Sequence, residues 1–210
     1  MIKVLLADDH ALLRGSLKQL LEDTGFIEVV AQAGDYPEIM KAINSNPAIE
    51  LAVLDISMPG KNGVDVVKIL KDKRPDLRIL MLSMHPEDQY AVRALKAGAS
   101  GYLTKNTAPE KLVDAIQVIA AGRKYITPEL AESLATHLTD DSDKPLHSTL
   151  SDREFETIRM IASGKKLSEI AEAMALSPKT VSVYRARILE KMKMKTNGEL
   201  TRYALENRLI

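Results

Sequence analysis

Five short apolar runs divide the first 121 residues, and their alternation with helical segments constrains the fold more than any other feature of the chain. The runs are Lys3–Ala7, Glu28–Ala33, Leu51–Asp55, Arg78–Ser83 and Gly101–Thr104. The first, third and fourth consist mainly of Val, Leu, Ile, Met and Ala, which is typical of strands that are covered on both faces. We therefore predict a buried parallel sheet.

Amphipathic segments separate and follow these runs. They are Ala11–Asp23, Pro37–Asn44, Gly63–Lys73, Pro86–Ala97 and Pro109–Ala121. A strand, a helix and the next parallel strand form a right-handed crossover unit. Repetition of this unit predicts an α/β domain, a doubly wound five-stranded parallel sheet with helices on both faces.

Polar side chains follow or end four of the five runs. Asp8 and Asp9 follow the first run and Asp55 ends the third. Ser83 ends the fourth run, and Lys105 follows the fifth. The carboxyl ends of parallel strands lie at one edge of the sheet, so these side chains should converge there. Converging carboxylates are unfavourable unless a cation or a proton accompanies them, which predicts a divalent metal site beside an activated aspartate.

The chemistry that uses such a set is phosphoryl transfer onto a carboxylate. Asp55 would be the nucleophile, and the acidic pair before it would hold Mg²⁺, which takes only a few protein oxygens. A backbone carbonyl at Ser57 could supply one more ligand. Lys105 and Ser83 would stabilise the charge on the phosphoryl oxygens. Each acid taken alone could instead be a solvated residue at a strand end.

The second half of the chain has a different pattern. Residues 123–149 contain one possible helix, Pro128–Leu138, and then the polar stretch TDDSDKPLHST, which has a linker composition. From residue 150 onward the pattern is purely helical. The predicted helices are Asp152–Ala162, Ser168–Ala175, Pro178–Met192 and Asn197–Glu206. The pattern therefore predicts an all-α domain, with a capping box from Ser151 to Glu154 at its first helix.

A basic stripe lies in this second half, although the formal net charge of the chain is zero. Residues 176–195 carry six basic residues and one acid. At about 100° per residue, Val181, Tyr184, Ile188 and Met192 share one packing face of the predicted helix. The opposite face and its flanks suit entry into the DNA major groove. The candidate DNA-contacting residues are Lys179, Thr180, Ser182, Val183, Arg185 and Arg187. A plain helical bundle is the alternative.

Four motifs in register resemble the receiver domain of two-component response regulators: LLADDH, LDISMPGKNG, MLSMH and GYLTK. The resemblance implies a flavodoxin-like fold with the strand order 2-1-3-4-5. Receiver domains are a standard example of that order. It also assigns the site residues. They are Asp55 as the phosphorylated residue, Asp8, Asp9, Asp55 and Ser57 around Mg²⁺, and Ser83, Tyr102 and Lys105 as the phosphoryl-stabilising and switch residues. His85 is a further candidate to lie near the phosphoryl group.

The segment from Leu150 to Met192 resembles the LuxR-type DNA-binding domain, and the whole architecture resembles the NarL/FixJ class of transcriptional regulators. The implied domains are a receiver over residues 1–122, a linker over 123–149 and a helix–turn–helix domain over 150–210. The implied partners are a sensor histidine kinase, an operator in double-stranded DNA and a second copy of the chain, at least on DNA. The implied protein is a regulator and not an enzyme, apart from its own phosphoryl transfer and dephosphorylation.

Several classes are disfavoured by composition. The chain contains no cysteine, so a disulfide framework or a cysteine-ligated metal is excluded. No run approaches the roughly 18 apolar residues of a membrane span, and no signal peptide begins the chain, so we expect a cytoplasmic protein without a membrane partner. Two rivals remain. One is a phosphatase or mutase, although Ser57 occupies the position where such enzymes place a second aspartate; the other is a regulator that works without phosphorylation.

Overall fold

A computed structural model describes residues 1–58, 61–84, 87–107, 109–139, 145–207 and 209–210, with the backbone alone at residues 87–89, 133 and 135–139. The chain divides into two compact units, Met1–Thr136 and His137–Ile210. His85, and Pro59–Gly60 in the motif LDISMPGKNG, lie outside the described residues. In the described part, no helix is both long and apolar enough to cross a membrane.

The first unit contains the predicted five-stranded parallel sheet. Its strands are β1 (Ile2–Ala7), β2 (Ile27–Ala33), β3 (Leu51–Asp55), β4 (Arg78–Ser83) and β5 (Gly101–Thr104). All neighbouring pairs are parallel, and the order is β2-β1-β3-β4-β5. Both the predicted fold class and the strand order implied by the receiver resemblance are confirmed. The first two strands begin one residue earlier than predicted.

Five helices cover the sheet and match the predicted segments to within a residue or two at each end. They are α1 (Ala11–Glu22), α2 (Tyr36–Ser45), α3 (Gly63–Lys73), α4 (Glu87–Lys96) and α5 (Pro109–Ala120). Helix α2 begins one residue earlier than predicted because the Asp35 side chain accepts a hydrogen bond from the Glu38 N–H at 2.8 Å. This N-cap satisfies a backbone donor that has no partner within the helix.

The central strands are covered on both faces. Every residue of β3 is buried, in agreement with its continuous apolar sequence. One side of the sheet forms a core with α5, in which Leu112, Ile116 and Ile119 pack against apolar residues of β1, β3 and β4. This rigid layer holds the carboxyl ends of the strands in place, and the polar residues found there are fixed with it.

The chain that follows α5 remains attached to the sheet. Tyr125 forms a parallel bridge with Gly101 at the edge of β5, and its N–H donates to the Ser100 carbonyl at 2.9 Å. A Cβ atom on Gly101 would lie 3.1 Å from the Tyr125 Cβ, so the close approach favours glycine. The first residues of the predicted linker therefore pack on the first unit, and α6 (Pro128–Thr139) follows them.

The second unit is helical. A short 3-10 turn, Leu146–Thr149, precedes α7 (Asp152–Ala162), α8 (Leu167–Ala173), α9 (Pro178–Lys191) and α10 (Asn197–Glu206). The predicted capping box at the start of α7 is present. Helix α8 ends earlier than predicted because Ala175 adopts a φ of 53°, which a helix cannot continue. The 3-10 turn was not predicted. Its residue His147 contacts α10, because the His147 Nδ1 lies 2.9 Å from the Tyr203 hydroxyl oxygen.

Candidate functional site

The ends of β1, β3 and β5 bring two carboxylates and one ammonium together in a buried cluster. The Lys105 Nζ lies 2.6 Å from Asp8 Oδ2 and 2.8 Å from Asp55 Oδ2. Asp8 and Asp55 are each 1% exposed, and the Lys105 side chain is 5% exposed. Three of the predicted site residues thus meet at the predicted edge of the sheet. Two buried carboxylates against one ammonium leave a net negative charge.

Burial and charge act in opposite directions on these groups. Burial raises the pKa of Asp55 above its ordinary value, although the Lys105 ammonium and the Ser57 N–H pull it downward. Burial lowers the pKa of Lys105, but hydrogen bonds and charges from Asp55 and Asp8 outweigh it, and the pKa is raised. The lysine is therefore held in its charged form. An added cation would offset the remaining negative charge and favour an ionised Asp55.

Asp8, Asp9, His10 and Asp55 form a candidate cation site. Each offers one ligand atom, and these atoms lie within 4.8 Å of one another. The Oδ2 atoms of Asp8 and Asp55 share the single Lys105 ammonium, and a carboxylate that pairs with one ammonium retains further lone pairs. Carboxylate oxygens that converge with free lone pairs fit a hard divalent cation such as Mg²⁺.

The remaining predicted site residues lie around this cluster. The Ser57 N–H donates to Asp55 Oδ1 at 3.1 Å, and Ser57 is exposed beside this carboxylate. Ser83 is fully buried at the end of β4, and its carbonyl accepts the Lys105 N–H at 2.7 Å. Tyr102 is fully buried within β5, so the predicted switch aromatic occupies an inward position here.

Sequence reasoning missed two residues that support the acidic loop. The Arg14 guanidinium donates to the Asp8 carbonyl. The His10 Nδ1 lies 2.7 Å from Asp9 Oδ1 and 3.3 Å from Asp8 Oδ1. His10 stands next to the acidic pair in the motif LLADDH, so its position along the chain was a usable signal. The direction of the Arg14 side chain had no such signal.

In the second unit, α8 and α9 form the helix–turn–helix. Ser177 caps α9, because its side chain accepts the Thr180 N–H at 3.1 Å, and Pro178 takes the first helical position. Val181 and Ile188 are fully buried, as the predicted packing face requires. Four candidate DNA-contacting residues are exposed on α9: Lys179, Ser182, Val183 and Arg187.

The other two candidates on α9 are bonded within the protein. The Thr180 hydroxyl lies 2.8 Å from the Ser177 hydroxyl, and the Arg185 Nε donates to Asn197 Oδ1 at 2.6 Å. Both residues are only half-exposed. Arg185 therefore links α9 to the first residue of α10.

The parallel sheet with an acidic pocket at its carboxyl edge, followed by a capped helix–turn–helix, defines a class of protein: a receiver domain joined to a DNA-binding domain. Comparison with known families agrees. Residues 4–117 match the response regulator receiver domain, and residues 148–204 match the luxR family of bacterial regulatory proteins.

Two relatives match this chain along its whole length and support the same two-domain class. The response regulator UvrY of Escherichia coli K12 is 36% identical over 210 residues, which are all of this chain and 96% of UvrY. The response regulator GacA of Pseudomonas protegens is 36% identical over 211 residues, with 100% of this chain and 98% of GacA covered. RcsB of Salmonella enterica serovar Typhimurium, solved with the promoter rprA and the phosphomimetic BeF3⁻, shares the fold at 24% identity and a TM-score of 0.69, covering 96% of this chain and 97% of RcsB.

The chain belongs to the NarL/FixJ class of two-component response regulators. Proteins of this class are phosphorylation-dependent regulators of transcription rather than enzymes that turn over a separate substrate. The predicted class and function are confirmed at this level.

Proposed function

We propose that Asp55 accepts a phosphoryl group from the phosphohistidine of a sensor histidine kinase and that this modification controls the binding of α9 to operator DNA. The observation that carries the proposal is the buried cluster in which the Lys105 ammonium lies within 2.8 Å of both Asp8 and Asp55. A plain strand-end acid would be solvated and would need no such partner.

The transfer uses the chain's own groups in a simple order. A carboxylate oxygen of Asp55 attacks phosphorus, the P–N bond to the donor imidazole breaks, and the imidazole nitrogen keeps the electron pair and takes up a proton from water. The Lys105 ammonium already lies beside the attacking carboxylate of Asp55. It can therefore pair with a phosphoryl oxygen as negative charge develops on that oxygen. Ser83, at the end of the neighbouring strand, is the proposed hydroxyl donor to the same oxygens.

Mg²⁺ is the proposed cofactor, held by Asp8, Asp9 and Asp55 with the backbone at Ser57. When bound, it supplies positive charge that neutralises the phosphoryl oxygens and the carboxylates together. The net negative charge of two buried carboxylates that share one ammonium supports this assignment. Before the ion binds, the Lys105 ammonium would limit the repulsion between Asp8 and Asp55.

Phosphorylation would change the state of the first unit through charge. The modification adds about −1.5 to −2 charge to a pocket where Lys105 is the nearest cation. We propose that Ser83 and Tyr102 transmit this change, because both are buried in adjacent paired strands, Ser83 at the end of β4 and Tyr102 within β5. The first unit would then be a two-state element whose balance depends on the phosphoryl group.

The proposed output is binding of α9 in the major groove of an operator. The exposed Lys179 and Arg187 would contact phosphates, while Ser182 and Val183 would face base edges. RcsB is bound to promoter DNA in its phosphomimetic structure, which supports the same use here. We further propose a homodimer on two half-sites, with α10 as the pairing helix, and action in the cytoplasm, where a bacterial chromosome lies.

A DNA-binding measurement tests this proposal. The full chain, treated with acetyl phosphate and Mg²⁺, selects binding fragments from a random DNA library, and affinity for a selected fragment is then measured by fluorescence anisotropy. We expect acetyl phosphate to strengthen binding by wild type and to have no effect on Asp55→Ala. Equal binding by wild type and Asp55→Ala after treatment would favour regulation without phosphorylation.

Charge reversal tests the DNA-binding face separately. Lys179→Glu and Arg187→Glu should each weaken binding and reduce its dependence on salt, because each removes one phosphate contact. Lys165→Glu is the matched control, since this lysine is exposed in the same unit but lies outside α9. If all three variants bind alike, the proposed face of α9 is wrong.

A further inference from the structure

The acidic loop after β1 carries an imidazole that the proposed magnesium chemistry does not use. We propose that His10 is an additional metal ligand and that it gives the site a preference for later first-row transition ions, such as Co²⁺, Ni²⁺ and Zn²⁺, over Mg²⁺. Imidazole nitrogen suits these ions, whereas Mg²⁺ prefers oxygen ligands and retains its waters. The inference rests on the proposed metal site, and it adds the class of ion that this site would prefer.

The distances around His10 fit a shared ion. Its Nδ1 lies 2.7 Å from Asp9 Oδ1 and 3.3 Å from Asp8 Oδ1. Two adjacent ligands of an octahedral ion with bonds of about 2.1 Å lie about 3 Å apart. The imidazole and the two carboxylates are therefore close enough for one ion to replace their direct ion-pair contacts, and Asp55 completes a set within 4.8 Å.

The backbone of His10 is held by two hydrogen bonds, whereas its side chain is mostly exposed to solvent. The His10 N–H donates to Asp8 Oδ1 at 2.8 Å, and its carbonyl accepts the Arg14 N–H at 2.9 Å in the first turn of α1. The side chain is 70% exposed. An entering ion would therefore meet a residue whose backbone is anchored and whose imidazole is open to solvent.

The buried part of the cluster independently points to a cation. Asp8 and Asp55 are each 1% exposed and share a single ammonium among the described residues, Lys105, so one negative charge of the buried pair is left without a counter-charge there. Buried carboxylate oxygens are usually paired or bound to metal. The exposed ligands, Asp9 and His10, lie on the solvent side of the same cluster and would complete the coordination from outside.

A second role for His10 makes the opposite prediction. As a charged counter-ion of the two aspartates, it would compete with every divalent cation, and its removal would strengthen the binding of all of them. As a ligand, His10 would strengthen the binding only of ions that accept a nitrogen ligand, such as Co²⁺. Comparison of a transition metal with Mg²⁺ in one variant therefore separates the two roles.

Calorimetric titration of the full chain with Co²⁺ and with Mg²⁺ provides the test, using wild type, His10→Gln and Asp9→Asn. We expect His10→Gln to weaken Co²⁺ binding by about tenfold or more, the scale of affinity changes at metal sites, and to leave Mg²⁺ binding within about twofold. Equal weakening for both ions, no change, or stronger binding of both would overturn the inference.

Proton NMR of the Co²⁺ complex gives a direct signature that does not depend on affinity. Ligation by His10 should produce a paramagnetically shifted imidazole N–H signal in wild type that is absent in His10→Gln. The same signal in both variants would also overturn the inference. Asp9→Asn separates the two proposals: unchanged binding of both ions would refute the proposed metal site itself, while loss of both with an unaffected His10→Gln refutes only the role of His10.

Discussion

A buried charge in the DNA-binding unit provides a sharp test of how the helices are held together. Glu154 on α7 is 2% exposed, and its Oε2 accepts the Ser151 N–H at 2.8 Å and the Lys191 Nζ at 2.6 Å. Glu154→Gln keeps the shape of the side chain but removes the charge. Helix α7 would then lose part of its capping box and part of its link to the end of α9.

The magnitude follows from these two contacts. A hydrogen bond to a charged group contributes about 1.5–3 kcal/mol, against about 0.5–1.5 kcal/mol for a neutral one. Each contact should therefore weaken by about 1 kcal/mol, and the Lys191 share should be smaller because its side chain is 41% exposed. We expect Glu154→Gln to destabilise the unit by about 1.5 kcal/mol, which is about a tenfold change in the unfolding equilibrium.

Hydrogen exchange of the full chain, followed by mass spectrometry, measures this effect in the relevant helices. The slowest amides of α7 and α9 should exchange about tenfold faster in Glu154→Gln. Glu190→Gln is the matched control, because it removes one acidic charge from an exposed position on α9. A double-mutant cycle with Lys191→Met should reveal coupling between the partners. Equal exchange in Glu154→Gln and Glu190→Gln would refute the reasoning.

The effect of Glu154→Gln should also depend on pH. Burial favours the neutral acid, but Lys191 and Ser151 outweigh it and hold the pKa of Glu154 below its ordinary value of 4.5. A lowered pKa in the folded state stabilises the protein above the ordinary pKa, and this stabilisation is lost as the pH falls through the lowered value. The ratio of exchange rates between variant and wild type should therefore be largest near neutral pH and shrink below 4.5.

Three further substitutions have expected outcomes. Gly63→Ala would place a Cβ 2.7 Å from the Ile56 Cα, so the urea midpoint of the receiver unit should fall by the equivalent of about 1–3 kcal/mol. Ser177→Ala removes the cap on α9 and should destabilise that helix by about 1 kcal/mol, seen as faster exchange of its first-turn amides. Lys105→Met leaves two buried acids without their cation, so the thermal midpoint should drop in EDTA and rise more with added Mg²⁺ than in wild type.

Much of the receiver fold could be predicted because its central strands are buried on both faces. A run such as Leu51–Asp55 has no polar side to place in water, and its neighbours must then be helices that cover it. The convergence of Asp8, Asp55 and Lys105 followed from parallel topology alone, since all three stand at carboxyl ends of strands. The assignment of Asp55 as the phosphorylated residue stays a prediction.

Other features depend on side-chain directions that no local pattern encodes. Arg185 donates to Asn197 at the start of α10, a contact that no pattern within α9 indicates, and its role in DNA binding stays a prediction. Tyr125 was placed in a linker by composition, yet it bonds to the edge of β5. Gly101 is what allows that contact. In both cases the deciding partner is distant in sequence or lies in a segment with no regular pattern.

Identification of the modified residue tests the central claim most directly. The full chain is incubated with acetyl phosphate and Mg²⁺, the acyl phosphate is trapped by borohydride reduction, and the site is mapped by mass spectrometry. We predict a single modification at Asp55 that disappears in Asp55→Asn. Modification of another residue to the same extent in both proteins would contradict the assignment of the buried, lysine-paired aspartate as the phosphoryl acceptor.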